Sequence, residues 1–159
     1  MTREPDNRVW GFGAAAAALA ACLAAQPLLL GLPPTILIPG LADFRPAWNR
    51  GVSFSLFTQD SDTGRYLLMA AIAAISAGVA VAVWRASTRL PAVAYGLVLG
   101  GALGNLGDRA RFSGAVFDFL SLHLGAMPLF ICNLPDIAIS AGVVLLLADS
   151  FLEIRPRST

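Results

Sequence analysis

Four long apolar stretches dominate the chain, at about 9–32, 66–84, 91–106 and 130–147. At about 1.5 Å per residue, each is long enough, or nearly so, to cross roughly 30 Å of hydrocarbon as a helix. Lipid demands that shape, because a helix satisfies its backbone N–H and C=O groups within the segment. The first stretch is Ala-rich and uncharged, and the second carries Tyr66 and Trp84 near its ends, where interfacial aromatic belts belong. With 57% hydrophobic and 13% charged residues, a soluble domain of 159 residues could not cover its surface. The mean hydropathy of +0.70 agrees. The expected fold is an all-α polytopic membrane protein, a single membrane domain over 1–159 with lipids as its solvent. A net charge of +1, eleven scattered Arg and no Lys provide no basic field for nucleic acid.

The connections differ in character. Residues 33–65 are long and mixed, and Thr35–Ile38 and 52–57 have strand-like composition, so a small β element on the outer face is expected. Residues 85–90 read as a tight turn between helices. Residues 107–129 hold charges and Gly, and read as a partly re-entrant segment. Arg3, Arg8, Arg85, Arg89, Arg155 and Arg157 concentrate on the side of the termini and the short turn, which makes that side cytoplasmic. Arg45, Arg50, Arg65, Arg109 and Arg111 are spread over the longer outer connections. Leu19-Ala20-Ala21-Cys22 has the look of a lipobox. Hydrophobicity continues past it to Leu32, so a first transmembrane helix is the better reading. Cys22 and Cys132 read as small buried hydrophobes rather than a disulfide.

Charges cost roughly 2.5–3.5 kcal/mol each at the centre of a membrane helix, so those near a span need a reason. Asn105, Asp108 and Arg109 follow the third span at i, i+3 and i+4 and share a face if the helix persists. Gly96, Gly100 and Gly104 lie on the same track, a small-residue stripe that admits a second helix. Asp108 and Arg109 read either as an ion pair ending the helix or as part of the chemistry. Asn133 and Asp136 sit three apart at the start of the fourth span, with Pro135 suited to a first turn. There Asp136 is either a capping carboxylate or a reacting group whose ionised form the helix N-terminus favours. Asp118 lies in an apolar, aromatic segment, where desolvation raises a carboxyl pKa. Two such acids meeting in a dry site share one proton. The ionised member can take a proton from water while the other donates to a carbonyl oxygen. His123 is the only histidine and reads as an interfacial residue; no Cys or Ser has an evident base, and ligands for a metal are too few.

Gly100-Gly101-Ala102-Leu103-Gly104-Asn105 with Asp108-Arg109, Gly114-x-Val116-x-Asp118-Phe119 and Asn133-x-x-Asp136 together resemble the lipoprotein signal peptidase (signal peptidase II) family. Asn49-Arg50-Gly51-Val52-Ser53-Phe54-Ser55 resembles that family's outer-loop motif. The resemblance implies a monomeric inner-membrane aspartic endopeptidase without metal or cofactor. Such an enzyme cleaves prolipoproteins just before a diacylglyceryl-modified cysteine, near the outer face. It implies Asp118 and Asp136 as the catalytic pair, with Asn133 holding it. Asn105, Asp108 and Arg109 match the polar cluster beside the site, and Asn49 and Gly51 the positions lining the substrate path. Three departures stand out. The family's acid and Lys late in the first span are absent from Ala24-Ala25-Gln26-Pro27-Leu28-Leu29. One extra residue separates Arg109 from Gly114, and Pro135 replaces the usual Ala. The first departure motivates a divergent paralogue with another membrane substrate. A small proton-relay or transport protein using Asp108, Asp118 and Asp136 is the alternative from another class, and a non-catalytic scaffold a third.

Overall fold

A computed structural model describes residues 6–51 and 62–154. Helix α1 (Asn7–Leu29) starts where Asp6 accepts the Arg8 N–H at 3.1 Å and ends before Gly31 and Pro33. Helices α2 (Asp62–Arg85) and α3 (Arg89–Arg111) are joined by residues 86–88, and α4 (Leu134–Ile154) closes the bundle. All four are long and apolar enough to span a membrane. Leu67, Val81, Leu147 and Phe151 stand exposed on the helices, as lipid contact requires.

Helix α3 is the hub and packs on each of the other three. Small residues make this possible. A Cβ on Gly100 would lie 2.5 Å from the Ala15 carbonyl oxygen, and one on Gly101 2.5 Å from that of Pro135. The glycine stripe therefore seats α1 along one side of α3 and α4 along the next.

A four-stranded antiparallel sheet caps one end of the bundle in the order β1 (Thr35–Ile38), β2 (Ala42–Asn49), β3 (Val116–Leu124), β4 (Met127–Cys132). The β2–β3 register shifts between Phe44 and Ala47, around Pro46, which has no N–H for a ladder. Gly125, at φ +57°, serves the β3–β4 turn.

The structure corrects two expectations. The third helix continues to Arg111, and residues 107–129, read as one partly re-entrant segment, instead finish α3 and form most of a β-hairpin. The fourth helix begins at Leu134 rather than at 130, because Met127–Cys132 is a strand. Apolar side chains project from both faces of β4, so its composition carries no alternation to tell strand from helix. Strand β2 was hidden for a related reason, its polar and aromatic residues following no period of two. The strand expected at 52–57, the Val52–Ser55 part of the loop motif, and Arg3, Arg155 and Arg157 lie outside the described residues.

Candidate active site

Where the sheet meets the bundle, three elements deliver acids. Helix α3 brings Asp108 near its C-terminus, β3 brings Asp118, and α4 brings Asp136 in its first turn. On β3, Asp118 points opposite to Phe117 and Phe119, whose rings form an aromatic row with Trp48 and Phe44. Asp118 is 4% exposed.

Amides hold the carboxylates. Asn133 Nδ2 donates to Asp118 Oδ1 at 2.7 Å, and Asn49 Nδ2 donates to Asp118 Oδ2 at 3.1 Å. The second bond follows from strand register: Asn49 pairs with Val116, so Asp118, two residues on, is its diagonal neighbour on the same face. An Asx turn, in which the Gly51 N–H donates to Asn49 Oδ1 at 2.9 Å, turns the Asn49 NH2 toward the acid. Asn105 Nδ2 donates to Asp136 Oδ1 at 2.9 Å, while Asn133 Nδ2 also reaches Asn105 Oδ1 at 3.1 Å. Asn133 thus touches both aspartates' shells. Its backbone N–H donates to Asp136 Oδ2 at 3.3 Å, and the Asp136 N–H donates back to Asn133 Oδ1 at 2.8 Å. That reciprocal pair is a capping box. Asp136 caps its helix with one oxygen and takes the Asn105 amide on the other.

Arg109 is buried and donates to two backbone carbonyls, Gly51 at 2.8 Å and Asn105 at 3.3 Å. Asp108 accepts from the Gln26 side chain at 2.7 Å and from the Phe117 N–H at 3.3 Å. The pair expected as a helix-ending ion pair takes separate partners, and the helix runs on past it to Arg111.

A cavity of about 250 Å³ opens onto this cluster, and Asn49, Asn105, Arg109, Asp118, Asn133 and Asp136 all line it. Ile72, Ile75, Val98 and Ile139 supply an apolar wall. Burial pushes the Asp118 carboxyl up to about 6, against the pull of the Asn49 and Asn133 donors; nearby Asp136 adds to the rise. Two acids on one small cavity, each held by amides and one of them raised toward neutrality, form a set that can accept and donate protons.

Seven of the eight residues singled out in the sequence for the site fall in one hydrogen-bonded network, and the eighth, Asp108, reaches it through the Phe117 backbone next to Asp118. Gln26, the partner of Asp108, was missed. Its signal was a polar side chain in an otherwise apolar span, one residue before Pro27. His123 stands apart on the sheet, its Nε2 3.3 Å from Asp43 Oδ2 and its Nδ1 2.9 Å from the Gly125 carbonyl. Cys22 and Cys132 are free and buried. Among the described residues, no three His, Cys, Asp or Glu side chains converge as metal ligands would.

Known proteins resemble this chain. Residues 17–152 match the family model for signal peptidase II. A lipoprotein signal peptidase of Methylorubrum extorquens is 52% identical over 117 residues, covering 74% of this chain and 67% of the relative. That of Methylobacterium radiotolerans is 50% identical over 109 residues, 69% of this chain and 63% of its own length. That of Rhizorhabdus wittichii is 39% identical over 157 residues, 95% and 91% of the two chains. A solved structure of a bacterial membrane enzyme superposes with a TM-score of 0.73 at 18% identity, over 94% of each chain, which speaks for the fold. With four membrane-spanning helices and a family match over most of its length, the chain is a multi-pass membrane peptidase and belongs to the signal peptidase II family.

Proposed function

We propose that this protein is an aspartic endopeptidase that removes signal peptides from diacylglyceryl-modified prolipoproteins, with Asp118 and Asp136 as the catalytic pair. The observation that carries the proposal is that both carboxylates line one cavity and share Asn133 as a neighbour. The pair holds one proton. Its ionised member takes a proton from a water in the cavity, and that water attacks the scissile carbonyl carbon. The protonated member donates to the carbonyl oxygen as the tetrahedral intermediate forms. The amides of Asn133 and Asn105 keep the two acids apart in role while holding them in reach.

The site belongs at the outer face of the membrane, with both termini cytoplasmic. Arg8, Arg85 and Arg89 gather at the end of the bundle opposite the sheet, where Arg8 lies over the Trp84 ring at 4.0 Å. At the sheet end, Ile36, Leu37, Leu41, Leu124 and Met127 are exposed apolar side chains suited to the interface. A lipid-anchored precursor presents its scissile bond at that depth.

The test is cleavage of a diacylglyceryl-modified precursor by purified protein in lipid. Asp118→Asn and Asp136→Asn should each abolish cleavage while leaving insertion and folding intact. Activity surviving in either variant removes the pair from the mechanism. Folded wild-type protein that leaves the lipidated precursor uncut but hydrolyses another membrane protein would favour the divergent paralogue.

A further inference from the structure

We propose that Gln26 is a positioning residue for the aspartate pair: its side-chain amide holds Asp108, and Asp108 holds the backbone of β3 one residue before Asp118. The inference rests on Asp118 and Asp136 being the reacting groups. Three observations carry it. Gln26 Nε2 donates to Asp108 Oδ1 at 2.7 Å across 82 residues of sequence. Asp108 Oδ2 accepts the Phe117 N–H at 3.3 Å, so one buried carboxylate joins α1 to β3. Asp118 follows Phe117 directly, and its own bonds to Asn133 and Asn49 depend on where β3 lies.

The chemistry of Gln26 suits this task better than that of an acid. A carboxylate acceptor facing a neutral NH2 forms a charge-assisted bond at any pH at which Asp108 is ionised. Two carboxyls at the same distance would bond only when one of them is protonated. The space beside the pair is about 20 Å³, lined by Gln26, Asp108, Phe117 and Asn133 among others. That is room for about one water, so bulk solvent does not stand in for the amide.

The test uses the full chain in lipid with the lipidated precursor, measuring kcat and KM across pH. Gln26→Leu fills the same space without a donor. Its kcat should fall about tenfold with KM within about twofold, the size expected when a reacting group shifts by a fraction of an ångström. Its pH profile should move upward by about half a unit as the donors to Asp118 loosen. Gln26→Glu should approach wild-type kcat at low pH and lose ground as pH rises, because only the protonated carboxyl can donate. Gln26→Leu with unchanged kcat and profile overturns the proposal, as does a change in KM alone. Should Gln26→Leu fail to fold, Gln26→Glu decides: a ratio to wild type that does not vary with pH refutes the relay. Asp118→Asn is run alongside. If it retains activity, the assignment of the pair itself is wrong; if it is dead while the Gln26 series is flat, only the present inference fails.

Discussion

Asn133 offers the sharpest separation of the proposed chemistry from folding, because its one side chain touches Asp118 and caps α4. It is 2% exposed, donates to Asp118 Oδ1 at 2.7 Å, and accepts the Asp136 N–H at 2.8 Å as the N-cap of α4. Replacing it with Ala removes one of the two side-chain donors described for Asp118. A hydrogen bond to a charged acceptor contributes about 1.5–3 kcal/mol, and one pKa unit corresponds to about 1.4 kcal/mol. A donor favours the ionised form, so its loss raises the proton affinity of the pair. The pH profile of kcat/KM for Asn133→Ala should therefore move upward by about one unit. Loss of the cap costs a further ~1 kcal/mol of stability, a Tm fall of about 2–4 °C in a chain of this size. Asn133→Ser divides the two effects. Serine caps a helix well but its hydroxyl is too short to reach Asp118, so Tm should return while the pH profile stays displaced. The assay is precursor cleavage across pH beside thermal unfolding in the same lipid. A profile for Asn133→Ser that coincides with wild type, or one that moves to lower pH, would show that Asn133 does not hold Asp118 in the working enzyme.

Other perturbations probe the remaining supports. Gly100→Leu places a side chain where a Cβ alone would meet the Ala15 carbonyl oxygen at 2.5 Å and the Ala18 Cβ at 2.7 Å. Overpacking of this kind costs at least about 1–3 kcal/mol, so yield of folded protein should drop; normal yield with selective loss of cleavage would contradict the packing role. Arg109→Lys keeps the charge but cannot bond the Gly51 and Asn105 carbonyls together from one planar group, and kcat should fall about tenfold or more with little change in Tm. Wild-type activity in that variant would mean the planar bridge is dispensable. Asp118 also links stability to pH. Its folded carboxyl titrates at about 6 against an ordinary 3.8, so ionisation is penalised in the folded state above about 6 and costs nothing below about 3.8. Wild-type Tm should fall as pH rises through that window, by an amount worth about 1–2 kcal/mol once screening by cavity water is allowed for. Asp118→Asn should flatten this slope, and an unchanged slope would place the titration elsewhere.

Helical architecture was legible because lipid leaves so few options. A run such as Tyr66–Trp84, apolar for about twenty residues, can only be a span, and the glycine track before Asn105 states which face of α3 meets a neighbour. Spacing told part of the candidate site: Asn105 and Arg109 line one cavity while Asp108 turns to Gln26 and Phe117, and Asn133-x-x-Asp136 builds a capping box. The sheet was harder to read. Both faces of β4 carry apolar side chains, which erases the alternation that marks a strand in water. Gln26 escaped for a different reason. Its partner lies 82 residues away, and nothing local in Ala25-Gln26-Pro27 says that the amide will meet a carboxylate. Long-range pairings of neutral polar groups leave no periodic trace.

The choice of amides over cations at this site has a physical logic that composition alone does not convey. Asp118 and Asp136 line one cavity with Arg109, yet that guanidinium gives its two assigned bonds to backbone carbonyls. The donors that reach the acids are Asn49, Asn105, Asn133 and Gln26, together with backbone N–H groups. A buried Arg–carboxylate pair would hold its acid ionised through any working pH, since an opposite charge at close range lowers a carboxyl pKa by about 1–3 units. Neutral amides fix position with a weaker electrostatic bias, and burial pulls the other way. Asp118, with two such donors and little solvent, ends near 6 rather than below the ordinary value. An acid in that range both releases and accepts a proton near neutrality, which is what water activation followed by protonation of a leaving amine requires. Exchanging Asn49 for a cationic donor would therefore be expected to strengthen the contact and weaken the catalyst, with the fully ionised pair persisting to lower pH.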